Sequence, residues 1–245
     1  MTGPTIARGA AAPQAATGAA PEAATANSAA WPAAQRVQSL PGKPRVVITQ
    51  FADTADYHPD LVGRLLQAGR DARAARRYGR ADGGTKIHDL AKLGGEALAL
   101  LEARMRELCR RGAGMTDPVV DLSWANIYGN GDYIMPHSHP RAHASVVYCV
   151  DEGDLPADPQ SVDGEFCFVD PRYSACCNIQ PDCMTMPVIP GLRAGCMILF
   201  PGQLVHAVNP YFGDRPRITL SWNLTREKLE GSPWDQLASA RPNGA

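Results

Sequence analysis

The sequence predicts a mainly β domain with flanking helices, built as an antiparallel barrel or double-sheet jelly roll. Seven short apolar or alternating runs separated by Gly, Pro, Asn and Asp follow Pro118, within about 110 residues. Helical periodicity is confined to the chain before that point, so the helices are expected to pack outside the strands. At 245 residues and 44% hydrophobic content the chain can hold one substantial domain and a tail.

Residues 1–40 hold 15 alanines and 4 prolines and almost nothing large enough to bury, so they read as a disordered tail outside the fold. The domain is expected over residues 45–230, with 231–245 a second tail. "RVVITQF" at 45–51 reads as a strand. "HPDLVGRLLQAGRDARAARR" reads as a basic amphipathic helix with Asp60 as N-cap and Leu61, Leu65 and Leu66 on its apolar side. A longer helix is expected from about Asp89 to Arg111. Leu90, Leu93, Ala97, Leu101, Met105 and Leu108 recur at spacings of three and four, and Gly112 supplies a stop. The strands follow as "VVDLSWANIY", "HASVVYCV", "GEFCFVD", "MTMPVIP", "CMILFPG", "HAVNPY" and "RITLSWNL".

Twenty-four basic against 25 acidic residues give a net charge of −1 and no general reason to bind nucleic acid or anionic lipid. No window approaches the apolar length of a membrane span, and the N-terminus lacks the pattern of a secretory signal. The expected location is the cytoplasm. The seven cysteines are odd in number and follow no framework, which fits a reducing compartment.

The chemistry concentrates in "NIYGNGDYIMPHSHPRAH", residues 126–143. His137 and His139 are two apart, so in an extended chain both imidazoles point to one face and can reach one metal ion. His206, after "CMILF" and a Pro-Gly turn, is the candidate third ligand; imidazole suits Fe, Zn, Cu or Ni. His143 would share a strand face with Ser145 and Val147, either lining the pocket or packing, while His58 and His88 read as surface or satisfied core residues. Downstream, "RPRITLSWN" puts Arg217 on a strand with Thr219 and Ser221 on the same face. A buried guanidinium calls for an anion, and its fork matches a carboxylate. Metal and clamp together could hold a small keto acid at both ends. Arg215 falls in a polar turn and reads as surface. Cys176, Cys177 and Cys183 lack the pairing of a zinc site and suggest a loop near the pocket rim, and Trp124 and Trp222 read as packing residues.

These residues give the chain a resemblance to the iron(II)/2-oxoglutarate-dependent oxygenases. "NIYGNGDYIMPHSH" resembles the N-x-Y, glycine, H-x-D segment of that superfamily, and His206 and "RITLSWN" resemble its distal histidine and arginine strand. "SVVYCV", "FVDPR" and "ILFPGQLVHAV" extend the likeness, over about residues 119–225, to a bacterial and phage family of such oxygenases that carries H-x-H-P. The resemblance implies a double-stranded β-helix core. It implies that His137, His139 and His206 bind Fe(II), that Arg217 pairs with the distal carboxylate of 2-oxoglutarate, and that Thr219, Asn126 and Tyr128 contact the same cosubstrate. It further implies that O2 drives oxidative decarboxylation to succinate and carbon dioxide, coupled to oxidation of a C–H bond in a small molecule, amino acid or peptide. His139 stands where the superfamily usually has an aspartate, which leaves three neutral ligands and one more unit of positive charge at the metal. Asp132 and Asp170 are not preferred as replacements. Two alternatives remain at this level: a three-histidine cupin dioxygenase that uses no keto acid, with G-x5-H-x-H at Gly131–His139, and a non-catalytic metal-binding jelly roll. Arg217 with Thr219 separates the main reading from the cupin, which has no requirement for that clamp.

Overall fold

A computed structural model describes residues 31, 35–40, 44–74, 84–172 and 186–229. Contacts divide the chain into Met1–Trp31 and Pro32–Ala245, and the fold below belongs to the second unit. Residues 1–30, residues 231–245 and Cys176, Cys177 and Cys183 lie outside the described residues.

Among the described residues, ten strands form two sheets: β1 (Gln35–Ser39), β2 (Arg45–Gln50), β3 (Thr85–His88), β4 (Val119–Tyr128), β5 (Ile134–His137), β6 (Ala144–Asp151), β7 (Phe166–Phe168), β8 (Cys196–Pro201), β9 (His206–Val208) and β10 (Arg217–Thr225). The larger sheet runs β1-β2-β8-β6-β10-β4-β3 and the smaller β5-β9-β7, all pairs antiparallel. This is the mainly β, jelly-roll architecture expected. Of "MTMPVIP", the described part contributes one bridge, Val188 to Phe168, which extends the smaller sheet.

Alternation along the strands separates two layers. Val46, Ile48, Ile198, Phe200, Phe166 and Phe168 form the core between the sheets. The opposite face of the larger sheet, including Val47, Leu199, Leu220 and Trp222, is covered by the helices α1 (His58–Ala74) and α3 (Glu96–Ala113). On α1, Leu61 and Leu65 are buried as the periodicity requires. Arg104 of α3 is also buried. It pairs with Asp53, donates to the Tyr57 hydroxyl at 3.0 Å and lies 4.3 Å from the Phe51 ring centroid, tying α3 to the turn before α1.

Four local expectations need correction. Residues 35–39, read as tail, form β1, an edge strand held by main-chain pairing with β2, and Leu40 beside it is buried. Composition weighs side chains and so misses a strand that contributes mostly backbone. Helix α1 starts at His58, which puts Asp60 inside the first turn rather than at the cap, still favourably close to the positive helix end. The helix expected from Asp89 is two: α2 (Leu90–Leu93) ends at Gly94 and Gly95, whose φ values of 59° and 101° break the spiral before α3. Finally, the C-cap of α3 is Gly114, with φ 61°, while Gly112 stays in the helix. A Cβ at Gly112 would lie 2.6 Å from Leu199 Cδ2, so its missing side chain lets α3 approach the sheet.

Candidate active site

One half of the larger sheet's inner face is apolar and the other polar. On β10 the inward residues are Arg217, Thr219, Ser221 and Asn223, all buried. Burying such groups is unfavourable unless they are partnered, so this row marks a surface built for something other than packing. Opposite it on β4 stand, in register, Tyr128 to Arg217, Asn126 to Thr219, Trp124 to Ser221 and Leu122 to Asn223.

The smaller sheet brings the histidines to this surface. His137 ends β5 and His206 begins β9, and the two are register partners. His139 lies two residues beyond β5, where its N–H donates to Gly202 O at 2.7 Å. One ligand atom from each imidazole lies within 4.8 Å of the others, and the ring centroids are 4.3 to 5.0 Å apart. The Nδ1 atoms of His137 and His206 each sit 2.9 Å from a carbonyl, Met135 O and Leu204 O, two residues upstream in each case. With Nδ1–H donated there, the Nε2 lone pair faces outward, the arrangement that fixes a histidine ligand's tautomer.

Burial pushes all three imidazoles towards the neutral form. His139 and His206 are lowered to about 3, first by desolvation and then by neighbouring histidines, and His137 is lowered, first by desolvation. A set of three neutral nitrogen donors, His206 buried and His137 and His139 half-buried, suits a divalent transition metal. Phe200 and Phe166 pack on His206, with ring centroids 4.8 and 5.4 Å away. The loop after His139 is tied to β4 by Arg141, which donates to Asp121 at 3.0 and 3.3 Å.

Gly202 is where this loop crosses β8. A Cβ there would lie 2.2 Å from Ala142 O. Gly202→Ala is therefore expected to push the His139 loop away and to destabilise the fold by about 1–3 kcal/mol. Calorimetry beside iron titration checks this. A wild-type unfolding temperature with wild-type iron affinity would contradict the close crossing.

A cleft between the sheets is lined by His137, His139 and His206 and also by Asn126, Tyr128 and Thr219, so six of the seven expected site residues meet at one surface. Arg217 does not itself line it. Its guanidinium lies 5.2 Å from the Tyr128 ring centroid, and its Nη1 is buried without a hydrogen-bond partner among the described residues. The Oδ1 of Asn126 is buried and unpartnered in the same sense. Burial pushes the Tyr128 phenol up to about 12, against the opposing pull of the Arg217 cation, so it remains a neutral hydrogen-bonding group.

The other sequence candidates fall away from the triad. His143 is exposed, and Arg215 is exposed and paired with Asp151. Asp132 accepts from Gly129 N in its own turn, and Asp170 accepts from Arg172 N two residues on. Trp222 packs under the helices, but Trp124 does not belong with it: it lines the cleft with its ring centroid 5.6 Å from that of His139. Lys86 and His88 of β3 also line the cleft. Sequence reasoning had no strand there and so no face to assign them. Asn223, Ser221 and Ser145 line it as well. Strand alternation carried from Arg217 to position 223 is the signal that finds the first two.

Residues 122–223 match a family described as "Putative 2OG-Fe(II) oxygenase". No curated protein sequence matches the chain. Among solved structures, the non-heme alpha ketoglutarate dependent epimerase SnoN from nogalamycin biosynthesis is similar at 19% identity and TM-score 0.52, over 81% of this chain and 86% of that one. A prolyl-4-hydroxylase of Pseudomonas putida is similar at 20% identity and TM-score 0.51, over 74% and 93%. AviO1 from Streptomyces viridochromogenes Tue57 is similar at 15% identity and TM-score 0.52, over 76% and 92%. At these identities the likeness is one of fold. The family match runs from β4 into β10, through the strands that carry the cleft.

Proposed function

We propose that the cleft is the catalytic site of an oxygenase that hydroxylates, or otherwise oxidises, a C–H bond of a small molecule, amino acid or peptide. In this reading His137, His139 and His206 hold ferrous iron. Arg217 pairs with the distal carboxylate of 2-oxoglutarate, and Tyr128, Thr219 and Asn126 make further contacts with it. The catalytic domain spans residues 45–230, with β1 added at its edge. The near-neutral net charge of −1 favours such substrates over nucleic acid.

The observation that carries this reading is Arg217: a buried cation with an unpartnered Nη1, two residues from Thr219 on the strand that faces three convergent imidazoles. A three-histidine centre that used no keto acid would have no need of it. With iron and 2-oxoglutarate bound, O2 oxidises the keto acid to succinate and carbon dioxide, and the second oxygen atom is available to convert a substrate C–H to C–OH. The chain's own groups bind and orient. The neutral Tyr128 phenol and the Arg217 fork make a charge-complementary end for a dianion, and the buried Phe166 and Phe200 rings beside His206 keep water from that imidazole. Three neutral ligands, in place of two histidines and a carboxylate, leave the metal one unit more positive and strengthen its hold on an anionic chelator.

Anaerobic addition of 2-oxoglutarate to the iron-loaded protein is expected to produce the visible charge-transfer band of a chelated keto acid. Iron demonstrably bound with no such band would overturn the reading and favour metal chemistry without a keto acid.

A further inference from the structure

Register along β10 divides the cleft into two ends. The pairs Arg217–Tyr128, Thr219–Asn126, Ser221–Trp124 and Asn223–Leu122 form four successive rows, each about 6.6 Å beyond the last. His139 packs against Trp124, which sets the histidine centre level with the third row. The first two rows are those assigned to the keto acid. The fourth row lies on the far side of the centre from Arg217, where a cosubstrate reaching from metal to Arg217 leaves room.

That far end is differentiated. Leu122 and the half-buried Trp124 make an apolar wall, and Ser145, Ser221 and Asn223 make a hydrogen-bonding one. Among the described residues none of the cleft-lining side chains is a carboxylate. Asn223 is held by a specific contact: Ser145, its register partner on β6, donates from Oγ to Asn223 Oδ1 at 2.9 Å, and both residues are buried. The amide oxygen is thereby occupied, so the Nδ2 group, with two N–H donors, is turned from Ser145. Asn223 lines the cleft, and no acceptor for its Nδ2 is recorded among the described residues, which leaves these donors for a ligand in the cleft.

We propose that Asn223, oriented by Ser145, is a specificity-determining residue that donates hydrogen bonds to a carbonyl or carboxylate oxygen of the substrate, whose apolar body lies along Trp124 and Leu122. The substrate class is an apolar, ring-bearing carboxylate or carboxamide, and free amines are disfavoured because the recorded wall offers donors and no carboxylate. This inference rests on the cleft being the oxygenase site.

The test uses the full chain loaded with zinc and saturating 2-oxoglutarate, with benzoate, benzamide and benzylamine as probes in ligand-observed NMR. Benzoate and benzamide are expected to bind, and benzylamine about tenfold or more weakly than either. Asn223→Asp keeps the shape and the acceptor for Ser145 but replaces donors with a charge, and should weaken benzoate by at least about tenfold. Ser145→Ala, which only frees the amide, should weaken benzoate by about threefold. Equal benzoate affinity in wild type and Asn223→Asp, tightest binding of benzylamine by the wild type, or no binding of any probe would overturn the inference. Titrating 2-oxoglutarate on the same samples separates the two levels. If the wild type binds the keto acid and benzoate ignores position 223, only the substrate inference fails; if the metal-loaded wild type does not bind the keto acid, the function itself is wrong.

Discussion

Arg217→Ala is expected to weaken 2-oxoglutarate binding by about 100-fold while iron content stays at the wild-type level. Two charge-assisted hydrogen bonds to a buried carboxylate are together worth about 3 kcal/mol, which is about two decades in affinity. The effect should be confined to the keto acid, because Arg217 sits at the Tyr128 end of β10, two rows from the row of Trp124, against which His139 packs. Removing it also removes the cation that lies over Tyr128. Arg217→Lys serves as the control: it retains charge and loses the planar fork, and should recover part of the affinity. Titration of the charge-transfer band against iron measured on the same protein reads both quantities. Identical affinities in wild type and Arg217→Ala would show that the clamp is wrongly assigned.

His139→Ala has the other large expected effect, loss of iron rather than of cosubstrate. Two imidazoles remain in place, His137 and His206, each with Nδ1 at 2.9 Å from a carbonyl, but a metal held by two ligands lacks the third corner of the site. Affinity should fall by at least about 100-fold, since first-ligand losses exceed the 10–100-fold typical of outer partners. His139→Asp is the informative companion. It supplies the carboxylate of the usual two-histidine set on a loop anchored by the backbone bond from residue 139 to Gly202. Iron binding is expected to survive, and the position of the charge-transfer band to move, because the metal then carries one less unit of positive charge. Full iron occupancy in His139→Ala would remove His139 from the ligand set.

Much of this arrangement is legible in the sequence. His137 and His139 at spacing two, and Arg217 and Thr219 on one strand face, follow from alternation alone, because the side-chain period of a strand is local. Seven of the strands, β2, β4 and β6 to β10, are likewise visible as apolar or alternating runs bounded by turn residues. The strands that were missed share a cause. β1, β3 and β5 are short edge strands with partly exposed side chains, so their hydrophobic pattern is weak and their existence depends on a partner's backbone. With β3 unseen, Lys86 and His88 had no place at the cleft. Trp124 was read as packing because an aromatic residue on a strand usually is, and only the position of His139 against it shows otherwise.

The chain's sequence alone therefore determined which residue types could do the chemistry and which face of each strand they occupy. Tertiary structure decided what meets what. His206 joins His137 through the pairing of β5 with β9, 69 residues apart in the chain by their numbers, and Asn223 meets Ser145 through the pairing of β10 with β6. Such pairings are set by closure of the two sheets over a common core, a non-local balance of burial and backbone hydrogen bonding that no short window of sequence contains.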